Sequence, residues 1–265
     1  MRLVLTFLLI VLLYSCKETI KKQEEKYDIV EEQIVEEPKY PETILKIFDA
    51  HGGLKAWRRN KTLTFDLPKK DVKETHTISL ITRKDRVDTP DYSYGSDGKS
   101  VWKLDPKKVF KGDAVFYHNL YFYFYAMPFV LADEGIVYGE TEPLEFEGVS
   151  YPGVKISYNS GVGTSPKDNY YIHYDPKTYK MQWLGYTVTC RSGAVSENIK
   201  WIRYNDWMKV DDVVLPKSIT WHNYEGRTIK EAERPVIFEN VKLSSEESPD
   251  SFYAIPEKGE VVLKE

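Results

Sequence analysis

Residues 170–183 read YYIHYDPKTYKMQW, and this stretch decides the fold class. Two alternating runs, Tyr170-Ile172-Tyr174 and Tyr179-Met181-Trp183, flank the sequence Asp175-Pro176-Lys177-Thr178. Alternation with a period of two places every second side chain on the same face of a strand, and Asp and Pro are frequent in turns. The stretch therefore predicts two antiparallel strands joined by a tight turn, with one face buried.

The same pattern recurs on both sides of this hairpin. Alternating runs occur at His76-Ile78-Leu80 and at Ile219-Trp221. Turn sequences separate the runs at short intervals: Ser96-Asp97-Gly98-Lys99, Val210-Asp211-Asp212-Val213 and Glu225-Gly226-Arg227. Such short spacing is typical of antiparallel hairpins and leaves no room for helical crossovers. We expect a mainly β (α+β) domain.

Two segments carry helical patterns. Pro41 to Arg59 has an apolar stripe interrupted by Gly52-Gly53, which predicts a helix, a glycine break and a short second turn. Val115 to Ala132 (VFYHNLYFYFYAMPFVLA) is nearly all apolar or aromatic, although His118, Asn119 and Pro128 interrupt it. We interpret it as a buried or lid-like helix of the domain, with a membrane-dipping segment as the alternative.

The N-terminus has the layout of a signal peptide. Arg2 precedes the uncharged run Leu3 to Tyr14, which at about 1.5 Å per residue is too short to span a hydrocarbon core of about 30 Å. The run ends in Leu13-Tyr14-Ser15-Cys16, which resembles the lipobox of bacterial lipoproteins. We expect residues 1–15 to be a signal peptide and Cys16 to be lipidated; the alternative is an ordinary secretory peptide.

Residues 16–39 predict a charged tether between the lipidated cysteine and a single domain over residues 40–265. Lys and Glu dominate the tether and no sustained apolar stripe is present, although a short interaction helix is an alternative. Without residues 1–15 the chain has 36 basic and 41 acidic side chains, a net charge of −5, which argues against nucleic acid as a partner. With Cys16 lipidated, Cys190 has no intramolecular disulfide partner, so stability must come from a packed core.

Motifs for catalysis are absent. The chain has no nucleophile elbow, phosphate-binding loop, dinucleotide fingerprint or zinc-protease helix. We predict no catalytic residue, metal or cofactor, and read Asp133-Glu134 and Asp211-Asp212 as capping and turn residues and Cys190 as structural. One metal site remains as an alternative, at His76, His173 and His222, because all three fall on predicted strands.

Aromatic residues give the strongest functional indication. The chain has 20 Tyr, 11 Phe and 6 Trp, and a sheet curved around an aromatic helix makes either a solid core or a cavity with apolar walls. The residues predicted to line such a cavity are Trp102, Phe116, Tyr121, Phe124, Tyr125, Phe129, Trp183, Trp201 and Trp221.

Several stretches resemble a known family. The lipobox, Asp49 to Trp57 (DAHGGLKAW), Met127 to Gly135 (MPFVLADEG), Tyr174 to Thr178 and Val214-Leu215-Pro216 look like an uncharacterised lipoprotein family of Bacteroidetes bacteria, and more loosely like the LolA/LolB-type lipoprotein-carrier superfamily. The resemblance covers roughly residues 40 to 260. It implies a strongly curved antiparallel sheet, an unclosed β-barrel, with helices on the concave side where carriers of that superfamily hold acyl chains.

Three hypotheses follow for the function. The first is a lipoprotein anchored to the outer membrane through Cys16, facing the periplasm or the cell surface, that binds a lipid or another hydrophobic ligand in the half-barrel. The second is an accessory subunit of an outer-membrane protein complex, and the third is an enzyme whose site is assembled from dispersed residues. A void of several hundred cubic ångströms on the concave side would favour the first, and a filled interior the second.

Overall fold

The computed structural model describes residues 40–159, 168–188 and 198–263. The part of the chain from Tyr40 onwards forms one compact unit. The predicted signal peptide, tether and lipidated Cys16, and also Cys190, lie outside the described residues. Within the described ranges, no helix is long and apolar enough to cross a membrane.

Two short helices open the domain, and strands are its most frequent secondary structure. The helices are α1 (Glu42–Ala50), α2 (Leu54–Arg58), α3 (Ala114–Tyr117), α4 (Leu120–Tyr125), a 3-10 helix (Phe129–Ala132) and α5 (Asp250–Tyr253). The first strands are β1 (Thr62–Pro68), β2 (Lys73–Ser79), β3 (Asp85–Asp88), β4 (Ser93–Ser96) and β5 (Val101–Leu104). The middle strands are β6 (Ile136–Phe146), β7 (Val149–Tyr158), β8 (Tyr170–Tyr174), β9 (Met181–Tyr186) and β10 (Lys200–Val210). The last are β11 (Val213–Glu225), β12 (Thr228–Ala232), β13 (Val236–Ile237), β14 (Glu239–Ser244) and β15 (Glu260–Val262).

These strands form two antiparallel sheets that continue one another. The seven-stranded sheet has the order β14-β1-β2-β3-β4-β5-β15, and the eight-stranded sheet has the order β12-β11-β10-β9-β8-β7-β6 with β13 paired to β11. The chain passes from the second sheet to the first between β13 and β14. The result is a strongly curved antiparallel surface, the open half-barrel expected from the resemblance.

The predicted turns are confirmed as hairpin connections. Asp175 follows β8, and its side-chain oxygen accepts hydrogen bonds from the backbone N–H groups of Lys177 and Thr178 at 3.0 and 2.7 Å. Asp211 and Gly226 take positive φ angles of 50° and 57° in the turns that follow β10 and β11. Turn chemistry read from the sequence therefore located the strand boundaries.

The concave side of the half-barrel is filled. One large core of buried side chains joins α1, α4 and the 3-10 helix to both sheets. Phe122, Tyr125, Phe129 and Leu131 are each no more than 1% exposed. The aromatic segment Val115 to Ala132 thus lies on the concave side as expected, but in three short helical pieces instead of one helix. Its breaks fall at His118-Asn119 and around Pro128, whose missing N–H cannot continue a helix.

The predicted glycine break after α1, with His51 directly before it, joins α1 and α2 to the eight-stranded sheet. His51 is fully buried; its Nδ1 lies 3.2 Å from the Val214 carbonyl oxygen, and its Nε2 accepts the backbone N–H of Met181 at 3.1 Å. Gly52 has a φ of +100°, and a Cβ there would lie 2.2 Å from the Asp212 carbonyl oxygen. Only glycine fits this approach, so the DAHGG stretch is a structural joint.

Candidate functional site

An open groove of about 560 Å³ lies where α4 approaches β11 at the rim of the filled concave side. Tyr121 and Trp221, both predicted from the sequence to line a cavity, are among its walls. Both are half-buried and pack against the main core. The volume lies within the range of about 300–1,000 Å³ that is typical of small-molecule sites. We call this the α4–β11 groove.

Trp221 is held in place by aromatic neighbours. The Phe124 ring meets the Trp221 ring edge-on, with centroids 5.4 Å apart, and also contacts Tyr186 at 5.2 Å. Trp221 Nε1 donates to the Tyr186 hydroxyl at 2.9 Å. Burial raises the pKa of Tyr186 to about 12, so the phenol keeps its proton at neutral pH. The indole is thus fixed by packing and by a hydrogen bond before any ligand arrives.

The Tyr121 ring lies beside Lys69, a residue of the turn between β1 and β2. The ammonium of Lys69 lies 5.4 Å from the Tyr121 ring centroid and donates to the buried Glu74 carboxylate at 2.7 Å. Burial alone raises the Glu74 pKa, but hydrogen bonds from His76 and Lys69 and their charges outweigh it, and the net pKa is lowered. Burial and the Glu74 charge raise the pKa of Tyr121, which therefore stays neutral. This wall of the groove is an uncharged phenol.

The rim of the groove is polar and carries more positive than negative charge. Its remaining walls are Lys200, His222, Asn223, Tyr224, Glu233, Arg234 and Val236. These residues include two cations, Lys200 and Arg234, and one carboxylate, Glu233. Aromatic walls beneath a cationic rim match a molecule with an apolar body and an anionic head.

The other predicted cavity residues of the concave side are packed into the core. Phe124 is 6% exposed and backs Trp221, while Tyr125 is fully buried against Phe65 and Phe238. Phe129 is stacked on Trp57 with centroids 4.7 Å apart. Phe124 therefore supports the groove from behind, while Tyr125 and Phe129 are part of the main core.

Phe116 and Trp102 lie apart from the groove. Phe116 is on α3, half-buried, with its ring 4.9 Å from that of Tyr117. Trp102 occupies the convex face of the seven-stranded sheet, where its Nε1 donates to the Tyr253 carbonyl oxygen at 2.9 Å.

Trp183 and Trp201 belong to a second cluster on the convex face of the eight-stranded sheet. A register irregularity between His173 and Tyr174 breaks the alternation, so that Met181 joins the main core while Trp183 joins this cluster. Trp201 lies beside Gly185, where a Cβ would come within 2.7 Å of the indole. The structure therefore does not bring these two residues to the groove.

The three histidines considered as a metal site do not converge. His76 lies on the concave face and stacks on Phe65, whereas His173 and His222 contact Trp201 and Trp183 on the convex face. Burial lowers the pKa of His173 to about 4, so it is neutral. Among the described residues, no three His, Cys, Asp or Glu side chains are arranged to hold a metal ion.

Sequence reasoning missed the polar rim. Lys200, Glu233 and Arg234 are ordinary surface charges in a chain with 37 Lys and Arg and 41 Asp and Glu. They meet because of the tertiary structure: Lys200 is the first residue of β10, and Glu233 and Arg234 directly follow β12. Both places lie beside Trp221. No local pattern distinguishes them from other surface charges.

A family model described as a family of unknown function (DUF6503) matches residues 2–222. None of the curated proteins matches the chain.

Solved structures that it resembles include a LolA superfamily protein from Nitrosomonas europaea, with 9% identity and a TM-score of 0.48 over 80% of this chain and 96% of that one. A DUF1329 family protein from Desulfovibrio piger has 9% identity and a TM-score of 0.47 over 81% and 98%. A domain described as an outer membrane lipoprotein-sorting protein from Vibrio parahaemolyticus has 10% identity and a TM-score of 0.41 over 77% and 96%. These neighbours include the superfamily named from the sequence.

Proposed function

This chain belongs to DUF6503, a family of unknown function, and we propose that it is a lipid-anchored envelope protein that binds an amphiphilic ligand in the α4–β11 groove. The proposed ligand has an apolar body and an anionic head, as many lipids do. Cys16 would carry the anchor, and the outer membrane would be its location. No catalytic step is part of this function.

Two half-buried aromatic rings, Tyr121 and Trp221, carry the proposal because they leave apolar surface in water at the mouth of a groove of about 560 Å³. Covering about 100 Å² of such surface stabilises a complex by about 2.5 kcal/mol. The Trp221 ring is held before binding by Tyr186 and Phe124, so little of its side-chain entropy is lost. The Lys200 and Arg234 side chains add attraction for an anionic head.

The filled concave side determines how such a ligand lies. Because aromatic side chains of α4 and the 3-10 helix occupy the interior, the ligand rests along the rim of the half-barrel and is not engulfed by it. The sequence left open a solid core or a cavity on the concave side; the aromatic segment is part of a solid core there, and the proposed ligand site is the groove at its rim.

Native mass spectrometry of the full-length chain, released from membranes in a non-ionic detergent, tests the proposal. The wild-type chain should carry an adduct of lipid mass. Trp221→Leu should lower its occupancy by a factor of about ten, equivalent to about 1.4 kcal/mol. Trp207→Leu is the matched control, because Trp207 is a half-buried tryptophan of the same sheet that contacts His51 and Tyr204 outside the groove. Repeated preparations without an adduct would contradict ligand binding.

The filled interior also favours a second candidate, an accessory subunit of an outer-membrane complex. A protein whose concave side is full must meet its partner at the surface. Co-purification from detergent-solubilised outer membrane should then return a stoichiometric partner, and recovery of the chain alone would count against this candidate.

A further inference from the structure

The second aromatic cluster, on the convex face of the eight-stranded sheet, is built around an arginine. Its buried members are Leu144, Tyr151, Trp183 and Trp201, with Phe146 partly buried beside them. The Arg203 guanidinium carbon lies 4.7 Å from the Trp183 ring centroid, 5.2 Å from that of Tyr151 and 5.8 Å from that of Phe146. Three rings therefore hold a cation away from much of the solvent.

The hydrogen-bonding capacity of Arg203 is mostly unused. Its Nη1 is buried and has no hydrogen-bond partner among the described residues. Its Nη2 donates to the Tyr151 hydroxyl across a long 3.4 Å. In the same cluster the buried Nε1 of Trp183 also lacks an acceptor within the described ranges. Buried donors nearly always have partners, so these atoms indicate an acceptor that the described residues do not provide.

Two other arginines show what a satisfied version of this arrangement looks like. Arg83 lies over Phe122 at 5.2 Å and donates to Asp133 at 2.6 Å. Arg86 lies over Trp102 at 5.6 Å and makes a forked contact with Asp88 at 2.8 and 2.9 Å. Both stacked cations have a carboxylate; Arg203 forms no ion pair within the described residues.

A pocket of about 270 Å³ lies beside Arg203. The other residues that line it are Phe146, Glu147, Asn205, Thr220, His222 and Ala232. The Thr220 hydroxyl and the Asn205 amide are neutral hydrogen-bonding groups, and the Phe146 ring is an apolar wall. The pocket and the α4–β11 groove share only His222 among their lining residues, so this is a separate site.

We propose that this pocket binds the carboxylate of a small ligand with a flat apolar body, with Arg203 as its charged partner. The planar guanidinium matches a carboxylate in a forked geometry, as Arg86 already shows with Asp88. Glu147 adds one negative charge to the wall, which selects a singly charged anion over a phosphate group. The volume lies just below that of sites for drug-sized molecules and suits a ligand with a single ring.

Saturation-transfer difference NMR on the full-length chain in a non-ionic detergent tests the proposal with benzoate and benzamide as probes. Benzoate should bind at least ten times more tightly than neutral benzamide. Arg203→Met should weaken benzoate binding at least tenfold. Arg227→Met is the matched control, because Arg227 is stacked on Trp201 at 5.4 Å in the same cluster but does not line the pocket; it should change the affinity by less than twofold.

Four results would overturn the proposal: no benzoate binding, equal affinity for both probes, unchanged binding to Arg203→Met, or displacement of benzoate by equimolar inorganic phosphate. Should Arg203→Met fail to fold, Thr220→Val takes its place. It removes one hydroxyl of the pocket with little change in shape and should weaken benzoate binding about threefold; unchanged affinity would contradict the site.

Discussion

The two faces of the eight-stranded sheet are made by the same strands but hold different chemistry. The concave face presents fully buried aliphatic side chains to the helices: Ile156, Ile172, Leu184 and Ile202. The convex face presents aromatic rings, two histidines and Arg203. Apolar packing dominates the first face, although the Tyr125 hydroxyl and Trp207 Nε1 are buried there without partners among the described residues. On the second, Arg203 Nη1, Trp183 Nε1 and His173 Nε2 are buried without partners among the described residues. The faces therefore differ in charge: the concave face is a packed core that ends at the α4–β11 groove, and the convex face holds a cation with no ion pair among the described residues.

The largest expected effect is a loss of packing on the concave side. Phe129 is 1% exposed and stacked on Trp57, so Phe129→Ala should lower the free energy of unfolding by about 3–5 kcal/mol. Phe146→Ala removes a half-buried ring from the convex face and should cost clearly less. Denaturant unfolding of the full-length variants measures both, and equal losses would remove the distinction between the faces.

Acid should destabilise both faces through one buried histidine each. Burial lowers the pKa of His51, near the concave core, and of His173, on the convex face, to about 4. A histidine in the unfolded chain has a pKa of about 6.5, so above pH 6.5 both side chains are neutral in the folded and in the unfolded protein. As the pH falls below 6.5, the unfolded chain binds more protons, so stability falls, by about 2 kcal/mol per histidine at pH 5. Unfolding measured at pH 7.5, 6 and 5 should show a shallower loss in His51→Gln; an unchanged slope would exclude His51 as a source.

A smaller effect is expected where the convex cluster has no spare space. Gly185→Ala places a Cβ 2.7 Å from the Trp201 ring and should cost about 1–3 kcal/mol through overpacking. Gly139→Ala is the matched control in another strand of the same sheet, because its nearest contact is 3.9 Å. Gly185→Ala should have a lower unfolding midpoint than Gly139→Ala. An unchanged midpoint for Gly185→Ala would mean that the convex cluster repacks around the added methyl group at little cost.

The smallest expected effect belongs to Arg203. Arg203→Met breaks no ion pair of the described residues and keeps apolar bulk among the rings, so the free energy of unfolding should change by less than about 1 kcal/mol. Arg86→Met leaves Asp88 without its forked partner and should cost more. A larger loss in Arg203→Met would show that the arginine serves stability and not a ligand.

Local patterns predicted most of the fold. The hairpins at Asp175 and Asp211 and the break at Gly52-Gly53 were visible in the sequence, because turns and glycine joints depend on a few adjacent residues. The open half-barrel with helices on its concave side came from family resemblance. It did not follow from periodicity, which describes single strands and not the curvature of a sheet.

The candidate sites were less predictable because they depend on register and on distant segments. Tyr121 and Trp221 were named from the sequence, but Trp183 was assigned to the wrong face of the sheet because an irregularity after His173 shifts the alternation. The pocket at Arg203 joins Glu147 in the β6–β7 turn to residues of β10, β11 and β12 that lie 56 to 85 residues further along the chain. Only the tertiary structure brings a lone arginine and three rings together.

The central claim is that the α4–β11 groove holds an amphiphile. Tyr121→p-benzoylphenylalanine in the full-length chain places a photoreactive group in the groove, and Tyr92, a half-buried tyrosine that contacts Phe110 elsewhere, provides the control position. After irradiation of intact cells, mass spectrometry of the purified chain should find a lipid-mass adduct at position 121 and none at position 92. No adduct at position 121, or equal yields at both positions, would contradict the account.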